Sequence, residues 1–313
     1  MPRRTPTIWF FIVPLFVLLL ALWVGIPVGQ SGAVTSAFRF AVVADSRSKE
    51  SNPSVNSAVL RRLMSDMNAL KPAFCLFPGD LVYGDGVGND AFKRQVQEWI
   101  TDTGEFRAAL YVTPGNHEFW GGAGRAEAWR EMFPKMPGNG PPGEEYKCSY
   151  YFDYGNCRFI SILSDWEDQG TRVDQKWLDQ ILDASSGFDH IFVFSHHPIR
   201  DLGDVKGAFW RSLVAHHVDA YFCGHLHYYS RSQPGDLSTW QVIVGTAGAP
   251  PYAPSPAVTG TTIPDHYGFA AVDVDGPTVK VTFYGDADGD GHYNDVMDSF
   301  IIAVPKRGEQ RAP

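Results

Sequence analysis

Short apolar runs alternate with amphipathic stretches along the chain, a pattern that is typical of α/β proteins. Runs rich in β-branched and aromatic residues predict strands at 38–44, 73–78, 109–113, 190–195 and 218–223. Stretches with apolar residues at three- and four-residue steps predict helices at 53–70, 89–101, 173–184 and 207–217. This alternation predicts an α/β fold class in which helices pack on a sheet.

Strands dominate the pattern in the last part of the chain. Residues 148–163 predict a hairpin that turns at Tyr154–Asn156. Further strands are predicted at 239–246, 267–273, 277–284 and 299–304. The segments 119–147 and 247–266 are rich in glycine and proline and predict loops. Because no repeat or linker divides this pattern, we expect one domain over 34–313.

A run without charge lies near the N-terminus and predicts a membrane-directed segment. Ile8–Val28 contains 21 residues and follows Arg3 and Arg4, and about 20 apolar residues suffice to span a bilayer. Residues 1–33 are therefore either a retained signal anchor or a signal peptide that is cleaved near Ser31–Ala33. Because basic residues stay in the cytoplasm, we expect a membrane-anchored protein whose main domain is extracytoplasmic, or alternatively a secreted one.

The charge balance excludes one large class of partner. The chain has 26 basic and 35 acidic residues, a net charge of -9. Proteins that hold a nucleic-acid backbone need a positive surface that displaces its counterions. We therefore expect no binding to a nucleic-acid scaffold.

The four cysteines show no Cys-X-X-Cys spacing, which argues against a thiolate metal site. Cys75 and Cys223 lie in apolar runs and are expected to be buried. In an oxidising compartment Cys148 and Cys157, near each other on the predicted hairpin, either form a disulfide or stay separate thiols.

Five predicted strands end in residue types that bind metals or transfer protons. In an open α/β sheet the carboxyl ends of the strands face the ligand crevice, so residues far apart in sequence converge there. The residues at these ends are Asp45, then Asp80 with Tyr83, then Asn116 with His117, then His196, and then His225 with His227. We therefore expect a single cluster of functional side chains.

The chemistry of this cluster indicates metal binding. Carboxylates, an amide oxygen and imidazoles favour hard or borderline ions such as manganese, zinc or iron. The set is too large for one ion, whereas two ions about 3.5–4 Å apart would use it and would clamp a phosphorus centre during displacement. The pattern predicts two metal ions, of Fe, Mn or Zn, and a phosphate-ester substrate.

These motifs resemble those of the calcineurin-like metallophosphoesterase superfamily, over a core of roughly 38–285. The motifs are Asp45, Gly79-Asp80, Gly115-Asn116-His117-Glu118, His196 and Gly224-His225-Leu226-His227. Tyr83, close behind Asp80, is similar to the tyrosine that binds ferric iron in purple acid phosphatases. The resemblance implies a four-layer α-β-β-α sandwich with two mixed β-sheets.

The resemblance also implies a role for each residue. A first metal would be bound by Asp45, Asp80, His227 and, if it is a ligand, Tyr83, and a second metal by Asp80, Asn116, His196 and His225. Asp80 would bridge the two ions. A hydroxide between them would attack phosphorus while His117 assists the leaving group. This implies an acid-phosphatase-like hydrolase of phosphate esters.

Arg47 is a departure from the superfamily pattern. Many members have histidine two residues after the first aspartate and the purple subset has glycine, whereas this chain has Asp45-Ser46-Arg47. A guanidinium carries no lone pair with which to bind a metal. Either Tyr83 completes the first site, or that site is weak and the enzyme depends on one ion. Arg47 itself either contacts phosphate oxygens, for which its planar fork is suited, or pairs with a nearby aspartate.

The acidic tail contains a second metal-binding pattern. Asp286, Asp288 and Asp290 alternate and are followed by Gly291, which resembles the start of an EF-hand calcium loop. Met297 stands where such loops carry a bidentate glutamate. Residues 286–298 are therefore either a calcium site or an acidic turn between strands.

Two classes of function stay open at this point. The first is a metal-dependent phosphoesterase, acting on monoesters or on diesters. The second is a non-catalytic surface protein that binds metal or phosphate on the same scaffold, because Arg47 has cost it the chemistry. The sequence does not indicate an oligomeric state or a physiological substrate.

Overall fold

Residues 37–236, 238–254 and 260–303 are described by the structure, a computed structural model. The predicted signal anchor or signal peptide at 1–33 lies outside these ranges. Within them, no helix is both long enough and apolar enough to cross a bilayer. The membrane anchor and the export of the chain therefore stay predictions.

Alternating side chains on β1 (Phe38–Val42) enter two different cores. Phe40 and Val42 pack in a cluster between two sheets, whereas Ala41 packs in a cluster with helices. Successive residues of a strand point to opposite faces, so one five-residue strand serves both layers. Both faces of this sheet are buried, which is why its central strands read as continuous apolar runs.

The first sheet has six strands in the order β13-β12-β11-β1-β2-β3. The strands after β1 are β2 (Phe74–Pro78), β3 (Ala109–Thr113), β11 (Gly268–Asp275), β12 (Thr278–Gly285) and β13 (Asp295–Ala303). β1, β2 and β3 are parallel, and the other neighbours are antiparallel. The sheet is therefore mixed.

The second sheet has seven strands in the order β10-β8-β9-β7-β6-β5-β4. They are β4 (Tyr150–Tyr154), β5 (Cys157–Ser161), β6 (His190–Phe194), β7 (Ala220–Cys223), β8 (Tyr229–Ser232), β9 (Trp240–Val244) and β10 (Thr261–Ile263). The run β5-β6-β7-β9 is parallel, and β4, β8 and β10 join antiparallel. This sheet is mixed as well.

Helices cover the outer face of each sheet. They are α1 (Ser57–Ala69), α2 (Asn89–Asp102), α3 (Asn116–Phe119), α4 (Arg125–Met132), α5 (Gln175–Asp183) and α6 (Ala208–Ala215). Apolar residues of α1, α2 and α4 pack against the first sheet, and those of α5 and α6 against the second. A third cluster, rich in phenylalanine, fills the space between the sheets. The predicted α/β fold with two mixed sheets is confirmed.

The structure corrects some predicted boundaries. The first helix begins at Ser57 instead of 53, because Arg47 and Val55 form an antiparallel bridge that keeps the preceding segment extended. The predicted loop 119–147 contains α4. Its charged residues obscure the apolar periodicity from which a helix is predicted. The last strand begins at Asp295, four residues before the predicted start at 299.

Cys148 and Cys157 are separate buried thiols in this structure. The hairpin forms as predicted, with Tyr154 opposite Cys157. Cys148, however, packs in the core beneath the helices, while Cys157 packs between the sheets. Burial raises the pKa of Cys157 to about 12, so its reactive thiolate form is scarce at neutral pH.

Candidate metal centre

The predicted ligands meet at the carboxyl ends of parallel strands from both sheets. Asp45, Asp80 and Asn116 follow β1, β2 and β3, whereas His196 follows β6 and the two histidines of the last motif follow β7. The backbone is left-handed at Asp45, Asp80 and His225, with φ of 64°, 53° and 67°. Non-glycine residues in this region store strain, and such strain is concentrated at functional sites.

The second ligand set comprises Asp80, Asn116, His196 and His225. Asn116 Oδ1 lies 3.0 Å from His196 Nε2 and 3.1 Å from His225 Nδ1. His196 Nε2 also lies 3.2 Å from Asp80 Oδ1. Two oxygens and two ring nitrogens thus point into one small volume, as a borderline divalent ion requires.

The first ligand set comprises Asp45, Asp80 and His227, whose donor atoms all lie within 4.8 Å of one another. His227 Nε2 is 3.5 Å from Asp45 Oδ1. The backbone N–H of His225 donates to both oxygens of Asp45, at 3.1 and 3.0 Å. Asp80 therefore lies with both sets, and the bridging role that the resemblance implies stays a prediction.

Backbone carbonyl groups fix the direction of two imidazoles. His196 Nδ1 donates to Pro78 O at 2.9 Å, and His227 Nδ1 donates to Pro250 O at 2.8 Å. A carbonyl oxygen can only accept, so these bonds place hydrogen on Nδ1 and leave each Nε2 free to bind a metal. The tautomers follow from the partners.

Two glycines allow the close approach of the ligand loops. A Cβ atom on Gly115 would lie 2.4 Å from Asp80 Oδ1, and one on Gly224 would lie 2.2 Å from Asp45 Oδ2. Any side chain at either position would displace a carboxylate of the centre. Glycine precedes the ligands Asn116 and His225 because the space beside Gly115 and Gly224 admits no side chain.

The pKa values of the Asp45 and Asp80 carboxyl groups are shifted in opposite directions. Burial raises the pKa of Asp45 to about 8. Burial acts in the same sense on Asp80, but the positive charges of His196 and His117 hold its pKa well below the usual carboxyl value. Asp80 is thus the charged member of the pair and attracts a cation more strongly than Asp45 does.

The histidines also differ in charge. Burial lowers the pKa of His225 to about 2 and that of His227 to about 4, so both rings are neutral at pH 7 and able to bind a metal. Burial has the same effect on His196, but the adjacent Asp80 offsets it and holds the pKa of His196 well above the usual value. A divalent ion would displace that proton on binding. The donor set therefore fits a hard or borderline divalent metal.

His117 lies beside the centre and is nearly buried, with 9% of its surface exposed. Its Nδ1 donates to the carbonyl oxygen of Tyr83 and lies 3.4 Å from Asp85 Oδ2. Its Nε2 lies 3.9 Å from Asp80 Oδ2. Nε2 is therefore the ring atom that faces the predicted ligands.

Tyr83 and Arg47 have different surroundings. The ring of Tyr83 lies 6.0 Å from the ring of His117, centre to centre, and its role as a metal ligand stays a prediction. Arg47 Nε lies 3.5 Å from Asp80 Oδ2, and Nη1 donates to Ser48 O at 3.2 Å. Of the two alternatives for Arg47, the structure therefore contains the ion pair with an aspartate.

Glu118 is a buried supporting residue of the Asp80 loop. Its carboxylate accepts from the backbone N–H of Asp80 at 2.9 Å, of Val82 at 3.1 Å and of Gly115 at 2.8 Å. Burial and the charge of Asp80 raise the pKa of Glu118 to about 7. Glu118 thus ties the loops after β2 and β3 together.

Asp165, which the sequence motifs do not include, forms a pair with His197, a histidine at the end of β6 that the sequence predicts to orient a neighbour or contact substrate. His197 Nε2 lies 2.7 Å from Asp165 Oδ1, and its ring centre lies 4.0 Å from that of His225. Asp201 reaches the other side, with Oδ2 3.6 Å from His197 Nδ1. Asp165 follows β5 as Asp45 follows β1, so the strand-end signal could have found it.

Each of the two predicted loops places an aromatic ring next to a histidine of this region. The ring of Trp120 lies 6.3 Å from that of His197. Tyr252 is 40% exposed, and its ring lies 4.5 Å from that of His227. Trp120 of the loop 119–147 and Tyr252 of the loop 247–266 therefore border the centre.

The acidic tail forms a compact turn. Donor atoms of Asp286, Asp288 and Asp290 lie within 4.8 Å of one another. Asp286 accepts two backbone hydrogen bonds from the same loop, at 2.7 and 3.0 Å, and Asp295 accepts two more, at 2.9 and 3.2 Å. These bonds account for the turn, and calcium binding at 286–298 stays a prediction.

One family model, described as calcineurin-like phosphoesterase, matches residues 38–229. The match includes every residue of both ligand sets. The chain belongs to the calcineurin-like phosphoesterase family. The resemblance seen in the sequence motifs is confirmed, and membership implies a divalent metal centre and phosphate-ester substrates.

Solved structures share the fold of this phosphoesterase-family chain. A purple acid phosphatase from yellow lupin seeds superposes with a TM-score of 0.66 at 18% identity, over 86% of this chain and 54% of its own. A dimetal phosphatase from Danio rerio gives 0.64 at 14% identity, over 86% and 99%. GAP50, the anchor in the inner membrane complex of Plasmodium, gives 0.60 at 15% identity, over 86% and 90%.

These likenesses establish the fold and leave the activity to the residues of the centre. This chain spans about half the length of the lupin enzyme, 54% of it. The identities are too low to carry a substrate from one protein to another. No curated protein matches the chain.

Proposed function

We propose that this protein is an exported, metal-dependent hydrolase of phosphate esters with an acid-phosphatase-like centre. The observation that carries the proposal is the position of Asp80, whose Oδ1 lies 3.2 Å from His196 and whose carboxylate also lies with Asp45 and His227. One buried anion between two groups of nitrogen and oxygen donors is an arrangement that holds cations. The predicted segment at 1–33 would anchor or export the domain.

The residues of the second ligand set would hold a divalent ion, and those of the first set provide further donors. When bound, such a metal neutralises phosphate charge and makes water a nucleophile at neutral pH. The donor types favour Mn, Zn or Fe, as the sequence predicted. The chain's own residues must then place the ester and supply a proton.

His117 is suited to supply the proton to the leaving oxygen. Because Tyr83 O accepts the hydrogen on Nδ1, only Nε2 can exchange a proton with the ester. The carboxylates of Asp80 and Asp85 lie 3.9 Å from Nε2 and 3.4 Å from Nδ1, so the ring lies between two acidic side chains. A general acid in this position contributes about 10²- to 10⁴-fold to a rate.

Arg47 is suited to hold the phosphoryl group. Its Nε is buried and makes no hydrogen bond to the protein, although it lies within ion-pair distance of Asp80. A phosphoryl oxygen would satisfy that N–H, and guanidinium groups bind such oxygens with two parallel hydrogen bonds. Arg47 would therefore bind substrate as well as balance Asp80.

Metal removal tests the proposed activity. The full chain in detergent is treated with chelator, and hydrolysis of 4-nitrophenyl phosphate and bis(4-nitrophenyl) phosphate is measured before and after Mn²⁺, Zn²⁺ or Fe²⁺ is restored. We expect a fall of roughly 10³-fold and recovery with one of these metals. The ester that is cleaved faster decides between monoesterase and diesterase. A folded, metal-loaded protein that cleaves neither ester would support the non-catalytic alternative.

His117→Asn adds a test of the proton donor within the same assay. The variant should lose about 10²- to 10³-fold in kcat on an alkyl phosphate and much less on 4-nitrophenyl phosphate, whose phenolate leaves without a proton. His216→Asn, just after the end of α6, removes a partner of Asp183 on α5; it is the matched control and should match the wild type. Equal losses on both esters would remove His117 from this role.

A further inference from the structure

The two ligand sets of this centre are unequal. The second set presents four donors, and among them Asn116 Oδ1 lies 3.0 and 3.1 Å from the two imidazole nitrogens. The first set presents Asp45, Asp80 and His227, and beside it lies a guanidinium group. The inequality comes from Arg47, the residue at which the sequence departs from the superfamily pattern.

Arg47 is held firmly in this position. Its backbone N–H donates to Asp80 O at 3.2 Å, and it forms an antiparallel bridge with Val55. Its Nη1 donates to Ser48 O at 3.2 Å, and only 19% of the side chain is exposed. The guanidinium is therefore part of the centre and not a mobile surface charge.

The two oxygens of Asp80 face different cations. Oδ1 lies 3.2 Å from His196 in the second set, whereas Oδ2 lies 3.5 Å from Arg47 Nε. Because Asp80 also belongs to the first set, its ion pair with Arg47 places a fixed positive charge beside that set. A guanidinium stays protonated at all physiological pH values and cannot leave when a metal arrives.

We propose that Arg47 is the fixed cation of the first ligand set, so that the protein binds one divalent ion tightly, in the second set. Like charges at this distance repel, so a second divalent ion next to Arg47 binds far more weakly. The phosphoryl group is then held between one metal and the buried N–H of Arg47. This inference rests on the proposed metal centre but not on turnover.

Counting bound metal tests the inference without an activity assay. The full chain is freed of metal and titrated with Mn²⁺ by calorimetry, and the spectrum of bound Mn²⁺ is recorded by electron paramagnetic resonance. We expect one tight ion per chain with the spectrum of an isolated ion. Two ions of similar affinity with a spin-coupled spectrum in the wild type would overturn the proposal.

Arg47→His supplies the gain-of-binding test, since it removes the fixed charge and adds a nitrogen donor. We expect a second Mn²⁺ to bind at least about 10-fold more tightly than in the wild type, with spin coupling. Arg47→Lys keeps the charge and should still bind one ion tightly. A folded Arg47→His variant that gains no second ion would contradict the inference.

Two controls keep this test sharp. Arg211→His makes the same exchange at an exposed position of α6 and should bind metal as the wild type does. Arg47→Leu removes the charge without adding a donor. It replaces Arg47→His if circular dichroism shows that variant unfolded, and it too should bind the second ion more tightly than the wild type. One tight ion with no turnover would retain this inference and refute the proposed hydrolase.

Discussion

The two sheets contribute different chemistry to the same centre. The first sheet delivers the oxygen donors Asp45, Asp80 and Asn116, whereas the second delivers imidazoles alone, from the ends of β6 and β7. Neither sheet carries a complete ligand set. The centre therefore depends on how the two sheets are packed, more than on the local geometry of any one loop.

Hydrogen bonds between the sheets fix this packing at the edge that bears the centre. The backbone N–H of Ala44 donates to Val244 O at 2.9 Å, and Ala247 N–H donates to Ala44 O at 2.8 Å. Ala249 N–H donates to Asp45 O at 2.8 Å. The chain after β1 is thus joined to the chain after β9, which brings Asp45 close to the histidines of the second sheet.

Substitution of Asp80 should have the largest effect on the centre, because Asp80 belongs to both ligand sets. Asp80→Asn should lower hydrolysis by about 10³-fold or more and abolish tight Mn²⁺ binding, since the anion shared by both ligand sets is lost. His227→Asn removes only a donor of the first set and should keep the tight ion. Calorimetry with Mn²⁺ and measurements of kcat compare the two variants. An equal loss of Mn²⁺ affinity in both would show that the two ligand sets are not separate sites.

Phe40 tests how far the centre depends on the packing between the sheets. Its ring is fully buried, with centres 5.1 Å from Phe159, 5.3 Å from Phe192 and 5.9 Å from Phe222 of the second sheet. Phe40→Ala should cost about 3–5 kcal/mol in urea unfolding and weaken Mn²⁺ binding. Val296→Ala, at a position that is 62% exposed, should stay within about 0.5 kcal/mol.

A loss of Mn²⁺ affinity in Phe40→Ala would show that the packing between the two sheets positions the metal ligands. The cavity would let the two sheets shift relative to each other, so oxygen and nitrogen donors would no longer converge. Unfolding that is easier by the expected amount, with unchanged Mn²⁺ affinity, would show that the loops position the ligands without help from the core.

An ion pair outside the two ligand sets joins the sheets and should have the smallest effect. Asp298 on β13 accepts from Arg231 on β8 at 2.6 and 3.1 Å and from Tyr229 Oη at 2.8 Å. Burial alone would raise the pKa of Asp298, but these partners lower it. Because the folded pKa is depressed, the stabilisation is present above the unfolded value of about 3.9 and is lost as pH falls through the folded pKa.

Asp298→Asn should therefore cost only about 0.5–1 kcal/mol at pH 7, since solvent screens a pair that is partly exposed. The difference from the wild type should shrink as the pH is lowered below about 4. Urea unfolding at pH 7 and at pH 3 measures it, and a difference that does not change with pH would contradict the assignment to this charge.

The sequence by itself identified the α/β class, the family and the strands other than β8 and β10, and five of the parallel strands could be linked to the site because a chemically distinctive residue follows each of them. Asp45, Asp80 and Asn116 could be selected in this way, and so could the three histidines. The same rule did not select Asp165, because a lone aspartate after a strand does not indicate that it will pair with a histidine of another strand, here His197. The short helix α4 was hidden by its charged residues.

Tertiary structure decided what the residues do to one another. Alternation in β1 predicts two faces, but only the packed sheets show that Phe40 meets the second sheet. The sequence left Arg47 open between phosphate and an aspartate, and the fold placed its Nε at 3.5 Å from Asp80. Sequence patterns report the local period and the residue type, whereas the balance of charge in a buried centre depends on distances between segments that are far apart in the chain.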